Sequence, residues 1–122
     1  MLNQTVIVGR IVNEPTVEKT ESGKDRAYLT VAVPRSYKNA DGEYDTDFID
    51  CVLWGGIASN TAEYCKKGDL VGIKGKIETY TYETEAGEKK KATNVVAEKI
   101  TFLSTAKEKD SDNEKSDDDL DM

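Results

Sequence analysis

The sequence contains no histidine, which removes the commonest general base and the commonest metal ligand. Catalysis that depends on an imidazole is excluded. Cysteine is limited to Cys51 and Cys65, too few thiolates to close a zinc site without histidine. There is no phosphate-binding glycine motif, and a covalent mechanism would rest on one of two cysteines with no identifiable base beside it. The chain therefore reads as a non-enzyme with no catalytic residue, no metal and no cofactor. It has no run approaching the ~20 apolar residues of a membrane span. The opening Met1-Leu2-Asn3-Gln4 also lacks the basic and apolar regions of a signal peptide. A cytoplasmic, reducing location away from membranes is expected, with both cysteines as small core residues.

What is present is mostly charge. Of 122 residues 37% are hydrophobic and 34% charged, enough for one domain with a small core. The net charge is −7, which taken alone argues against a polyanionic partner. Its distribution changes the argument. Residues 106–122 hold three lysines and eight acids, whereas residues 1–105 are nearly balanced, with 14 basic and 16 acidic side chains. The tail has no aromatic residue and little apolar content, so it cannot offset the entropy of ordering and is expected to be disordered. The division is a body of residues 1–105 and an acidic tail of residues 106–122.

Within the body the patterning is that of short strands. Residues 6–12 are β-branched and stop before Pro15, with Gly9 marking a bulge or a close backbone approach. Residues 26–33 alternate, with Ala27, Leu29, Val31 and Val33 on one side and Arg26, Tyr28, Thr30 and Ala32 on the other. Pro34 is read as ending that strand, and Asp41-Gly42 as a hairpin turn. Residues 46–54 put Ile49, Cys51 and Leu53 inward and Phe48, Asp50, Val52 and Trp54 outward.

From residue 57 to 65 the period becomes helical, through Ile57, Thr61, Tyr64 and Cys65, and Lys66-Lys67-Gly68 supplies a C-terminal signature. A fourth strand over residues 70–82 faces Val71, Ile73, Ile77 and Thr79 inward, and a fifth covers residues 91–97, extendable to 103. Three strands, one short helix and two strands define an all-β class that matches the OB-fold, a five-stranded Greek-key barrel. Another small β-barrel with a helical plug fits the same order.

The outward faces are not simply polar. Phe48 and Trp54 share one, Tyr80 and Tyr82 share another with Lys74 and Lys76, and Arg35 and Tyr37 precede the hairpin turn. Aromatics interleaved with cations suit a single-stranded nucleic acid, whose bases stack on rings whatever their identity while Lys and Arg follow the phosphates. On this reading Tyr37, Phe48, Trp54, Tyr80 and Tyr82 stack, and Arg10, Arg35, Lys74, Lys76, Lys89, Lys90 and Lys91 contact phosphates. Several have a plainer alternative: Trp54 as a barrel-end core residue, Phe48 between subunits, Tyr80 and Tyr82 as ordinary strand formers, and Lys89 to Lys91 as a solvated turn. Tyr28, Tyr44, Tyr64 and Phe102 are read as structural.

Over residues 1–104 the chain resembles the bacterial and phage single-stranded DNA-binding protein family. The resemblance rests on Met1-Leu2-Asn3 leading into Val8-Gly9-Arg10, on Thr46-Asp47-Phe48-Ile49-Asp50-Cys51-Val52-Leu53-Trp54-Gly55, on Tyr64-Cys65-Lys66-Lys67-Gly68-Asp69, and on Gly72-Ile73-Lys74-Gly75-Lys76-Ile77. It implies stacking at Tyr37, Phe48, Trp54 and Tyr82; Tyr80 stands where many relatives carry a basic residue. It also implies a homotetramer built partly through first-strand pairing, and replication and repair proteins as partners of an acidic tail. Here that segment is Asp117, Asp118, Asp119, Leu120, Asp121 and Met122, without the Pro-Phe tip usual in the family, so docking of those partners is in question. The expected function is to coat and protect single-stranded DNA during replication, recombination or repair. The rival is an OB-fold protein-interaction module of a replication or primosome assembly.

Overall fold

Alternation of β-branched and polar residues folds the chain into six strands and one helix: β1 (Thr5–Ile11), β2 (Val17–Lys19), β3 (Asp25–Lys38), β4 (Tyr44–Trp54), α1 (Gly55–Tyr64), β5 (Leu70–Glu83) and β6 (Lys89–Ser104). A computed structural model describes residues 1–105. The acidic tail, with Asp117 to Met122, lies outside the described residues.

The sheet runs β1-β5-β6-β4-β3-β2, and β1 also pairs with β3. That extra pairing closes five strands into a barrel and leaves β2 as a short addition on the outer edge of β3. All ladders are antiparallel except β4 with β6, which run parallel at Cys51↔Val95 and Val52↔Val96. The expected OB-type barrel is the fold found. No helix among the described residues is long and apolar enough to cross a membrane.

Closure depends on two glycines. A Cβ on Gly9 would lie 2.8 Å from the Ala32 carbonyl oxygen, so the close approach expected there is where β1 meets β3. A Cβ on Gly75 would overlap the Val96 carbonyl group. Beside it the β5–β6 register steps from Lys74↔Lys99 to Gly75↔Ala97, so Glu98 is the extra residue of a bulge that bends β6.

The inward faces converge on one core of Ile11, Leu29, Val31, Cys51, Leu53, Val71, Ile73 and their smaller neighbours. The parity of residues 26–33 and of Cys51 and Leu53 is as expected. Several local expectations are corrected. Pro34 does not end β3: it pairs with Thr46, the register then shifts, and Lys38 pairs with Tyr44, because an irregular ladder tolerates the missing N–H. Residues 17–19, outside the strands read from the sequence, form β2. In α1 the buried residues are Ala58 and Thr61, and Tyr64 is exposed. The helix ends before Lys66 and Lys67, with Cys65 in extended backbone donating its N–H to the Thr61 carbonyl. Gly68, at φ 96°, belongs to the following turn and donates its N–H to the Ile11 carbonyl, 2.8 Å. Ile77 is 47% exposed rather than inward, since beyond Gly75 the β5–β6 ribbon runs on past the core.

Burial pushes the Cys51 thiol up from 9.0 to about 12, with a smaller push from the Asp50 carboxylate. The unfolded chain ionises this thiol near 9 while the native state keeps it protonated. Stability from this group is therefore complete below pH 9 and declines as pH rises from 9 toward 12. Urea midpoints between pH 7 and 10.5 should fall more steeply for the native sequence than for Cys51→Ala; parallel curves would refute this assignment.

Candidate nucleic-acid interface

The outer faces of β3, β4, β5 and β6 form one continuous surface, because Val52 and Val96 join the two hairpins side by side. On one half Arg26 lies opposite Trp54, Tyr28 opposite Val52, Thr30 opposite Asp50, and Ala32 opposite Phe48. On the other, Glu78 lies opposite Asn94, Tyr80 opposite Ala92, and Tyr82 opposite Lys90. Residues directly opposite share a face, so this register collects the aromatics and decides which cations accompany them.

The surface is concave. A groove of about 450 Å³ is lined by Tyr28, Trp54 and Tyr80 around Val52 and Val96, with the carboxylates of Asp50 and Glu78 along it. Val52, expected on an exposed face, is 6% exposed because it forms the floor of this groove. Asp50 and Asn94 continue into a second hollow of about 380 Å³, lined by Phe48, Ile7 and Ile77. Apolar floor, aromatic walls and acidic side chains suit bases lying in the groove, with their phosphates held away from Asp50 and Glu78.

Trp54 is positioned by the end of its strand. Its backbone is extended, and Gly55 then takes φ 61° to start α1, so Trp54 remains outward while Leu53 is fully buried. The barrel-end alternative for Trp54 is not what the structure shows. Phe48 is 65% exposed. The Tyr80 and Tyr82 rings stand two residues apart on one face, centroids 6.2 Å apart and tilted by 41°.

Tyr37 is exposed on the β3–β4 hairpin, where Arg35 Nη1 donates to its hydroxyl at 3.5 Å. Arg35 also donates through Nη2 to Asp47 Oδ1 at 2.9 Å and through Nε to Oδ2 at 3.1 Å. These bonds raise the Arg35 pKa further above its ordinary value and lower that of Asp47.

The expected phosphate contacts separate into distinct places. Lys90 shares the face of Tyr82, but Lys89 and Lys91 pair with Glu83 and Thr81 on the opposite face, since neighbouring strand residues alternate. Lys76 lies 3.3 Å from Glu78 Oε2. Lys74 stands between Val6 and Lys99 and lines neither hollow. Arg10 donates through Nη1 to the Gly68 carbonyl at 2.8 Å, securing the turn between α1 and β5 away from the groove.

Two residues were missed, one lining the groove and one beside it. Tyr28, read as structural, is 49% exposed on the groove wall. The Arg26 guanidinium carbon lies 5.2 Å from the Tyr28 ring centroid and 5.9 Å from that of Trp54. The signal was present in the alternation of residues 26–33, which puts Arg26 and Tyr28 on one outward face. Tyr44, Tyr64 and Phe102, also read as structural, are likewise exposed.

A closed five-stranded barrel with a short helix, carrying an aromatic groove across β3, β4, β5 and β6, defines an OB-fold protein built to hold extended, unpaired nucleic acid. The chain belongs to the Single-strand binding protein family, which matches residues 2–103. It is 45% identical over 103 residues to single-stranded DNA-binding protein B of Bacillus subtilis, covering 84% of this chain and 91% of that one. It is 40% identical over 108 residues to single-stranded DNA-binding protein 1 of Clostridium acetobutylicum, covering 88% and 98%. Against single-stranded DNA-binding protein 3 of Listeria innocua the identity is 42% over 103 residues, and the match spans 84% of this chain but 64% of that longer one.

Proposed function

We propose that this protein coats and protects single-stranded DNA, without sequence preference, during replication, recombination or repair in the cytoplasm, and that it catalyses no reaction. Bases stack on Trp54, Tyr28 and Tyr80 in the groove, and the strand continues over Phe48, Tyr37 and Tyr82. Lys90 and Arg35 hold phosphates at the rim, with Lys74, Lys76, Lys89 and Lys91 reached by a strand that wraps the β5–β6 hairpin. Arg10 contributes through the barrel rather than by contact. The observation that carries this reading is the register that gathers three aromatic side chains around one apolar floor in a protein of this family.

The assembly is a homotetramer. Among the described residues, positions 5–9 of β1 pair only with β5, which leaves their other edge for a second copy, and Val6 and Val8 are 71% and 51% exposed beside it. The acidic residues 106–122 compete with DNA for the cationic rim and offer Asp117 to Met122 to replication and repair proteins.

Titration with poly(dT) while following the single tryptophan tests the reading. Saturable quenching is expected, with a shallow salt dependence, because Arg35, Lys76 and Arg26 are already paired with Asp47, Glu78 and Glu18 and stacking is not screened by salt. Absence of binding at low salt would transfer the aromatic face to a protein partner, as in an interaction module of a primosome assembly.

A further inference from the structure

Arg26 is held in a way that neither the barrel nor its core requires. It lies directly opposite Glu18 in the β2–β3 ladder, and both Nε and Nη2 donate to one carboxylate oxygen, Glu18 Oε1, at 3.0 and 2.6 Å. The same guanidinium rests beside the rings of Tyr28 and Trp54, the two aromatic walls at that end of the groove. A planar cation against aromatic rings, with a fork of N–H donors turned toward an anion, is the arrangement that binds a phosphate next to a stacked base.

The anion now in the fork is easily removed. All three residues of β2 are exposed, among the described residues the strand pairs with β3 alone, at three positions and through the Lys19–Asp25 ion pair, and 54% of the Glu18 side chain remains open to solvent.

We propose that Arg26 is a phosphate-binding residue of the groove and that Glu18 occupies its guanidinium in the free protein, so that a bound strand exchanges one phosphate for the Glu18 carboxylate. The proposal rests on the single-stranded DNA reading given above. It makes Glu18 an internal competitor that lowers affinity, and it makes β2, the short addition outside the barrel, the strand that yields when DNA enters. Displacing a carboxylate also frees an anion that gathers cations of its own, which offsets the counterions released from the DNA at this contact.

The test is a double-mutant cycle, read by anisotropy of a labelled oligo(dT) over a range of salt so that the signal does not depend on Trp54. Glu18→Gln is expected to tighten binding about two- to fivefold, the scale of an exposed ion pair. It should also steepen the log–log salt slope by up to about one. Arg26→Gln is expected to weaken binding, and in that background Glu18→Gln should have no further effect. Equal affinity and slope for Glu18→Gln and the native sequence would overturn the proposal. So would a gain that persists without Arg26, which would mark a general charge effect. Thermal melting separates folding from binding, and where Arg26→Gln fails to fold, Glu21→Gln, at an exposed acid three residues from Glu18, supplies the general-charge comparison: an equal gain there would overturn the proposal. Failure of the native protein itself to bind would instead overturn the DNA reading.

Discussion

Gly75→Ala is expected to destabilise the protein by at least about 3 kcal/mol, a large share of the total stability of a small domain. The new methyl would overlap the Val96 carbonyl group and lie 3.2 Å from the Ala97 Cα. Both obstacles are backbone, so no rotamer change relieves them. The β5–β6 ladder would have to part beside its bulge, where it also joins β4 through Val96. Gly72→Ala is the control. On the same strand its Cβ would meet Leu103 Cδ1 and Thr101 Cβ at 3.9 Å, ordinary contact, and a change within about 0.5 kcal/mol is expected. Urea denaturation of the two variants checks the pair; similar midpoints would show that the close approach does not constrain closure. A partly folded Gly75→Ala protein should also lose DNA affinity, because the same hairpin carries Tyr80 and Tyr82.

Trp54→Ala is expected to lower single-stranded DNA affinity by about 10- to 100-fold, the value of one stacked base, without changing the slope of log affinity against log salt. In the proposed binding mode Trp54 stacks on bases rather than reaching phosphates, so its loss removes an unscreened contribution. Lys90→Gln should do the reverse, costing little affinity at high salt and reducing the slope by about one. Tyr64→Ala serves as the neutral comparison: that ring is 70% exposed at the end of α1 and lines neither hollow. Anisotropy titrations with labelled oligo(dT) at three salt concentrations distinguish these outcomes. An unchanged affinity for Trp54→Ala would remove the groove from the binding path.

The two expectations share a cause. Gly75 permits the backbone approach that brings β5 and β6 across to β4, and that approach sets the groove wall carrying Tyr80 opposite the wall carrying Trp54. Fold stability and base stacking are therefore coupled through the β5–β6 hairpin. Arg26 and Glu18 lie at the other wall, on β3 and β2, and Glu18→Gln should change affinity with little effect on melting.

Some of this was legible in the residues alone. Period-2 alternation in residues 26–33 and 46–54 identified the inward set of Leu29, Val31, Cys51 and Leu53, and with it the outward positions of Phe48 and Trp54. A pleated strand with one buried side allows no other parity. Gly9 signalled a bulge or a close backbone approach, and the structure shows the second. The strand and helix order, together with the residues that resemble the family, supplied the barrel.

Only the tertiary structure decided what depends on which strand lies beside which. The register placed Lys90 with Tyr82 and turned Lys89 and Lys91 to the far face, a distinction that a run of three lysines does not carry. The curvature of the closed sheet made Val52 a groove floor, and the β5–β6 ribbon, extending past the core, brought Ile77 to the surface. Arg10 was committed to the Gly68 carbonyl, and Arg26, unremarked in a polar strand face, was set between Glu18 and the rings of Tyr28 and Trp54. Parity is a property of one strand and can be read along it. Partnership arises between strands, and it appears only when the barrel closes.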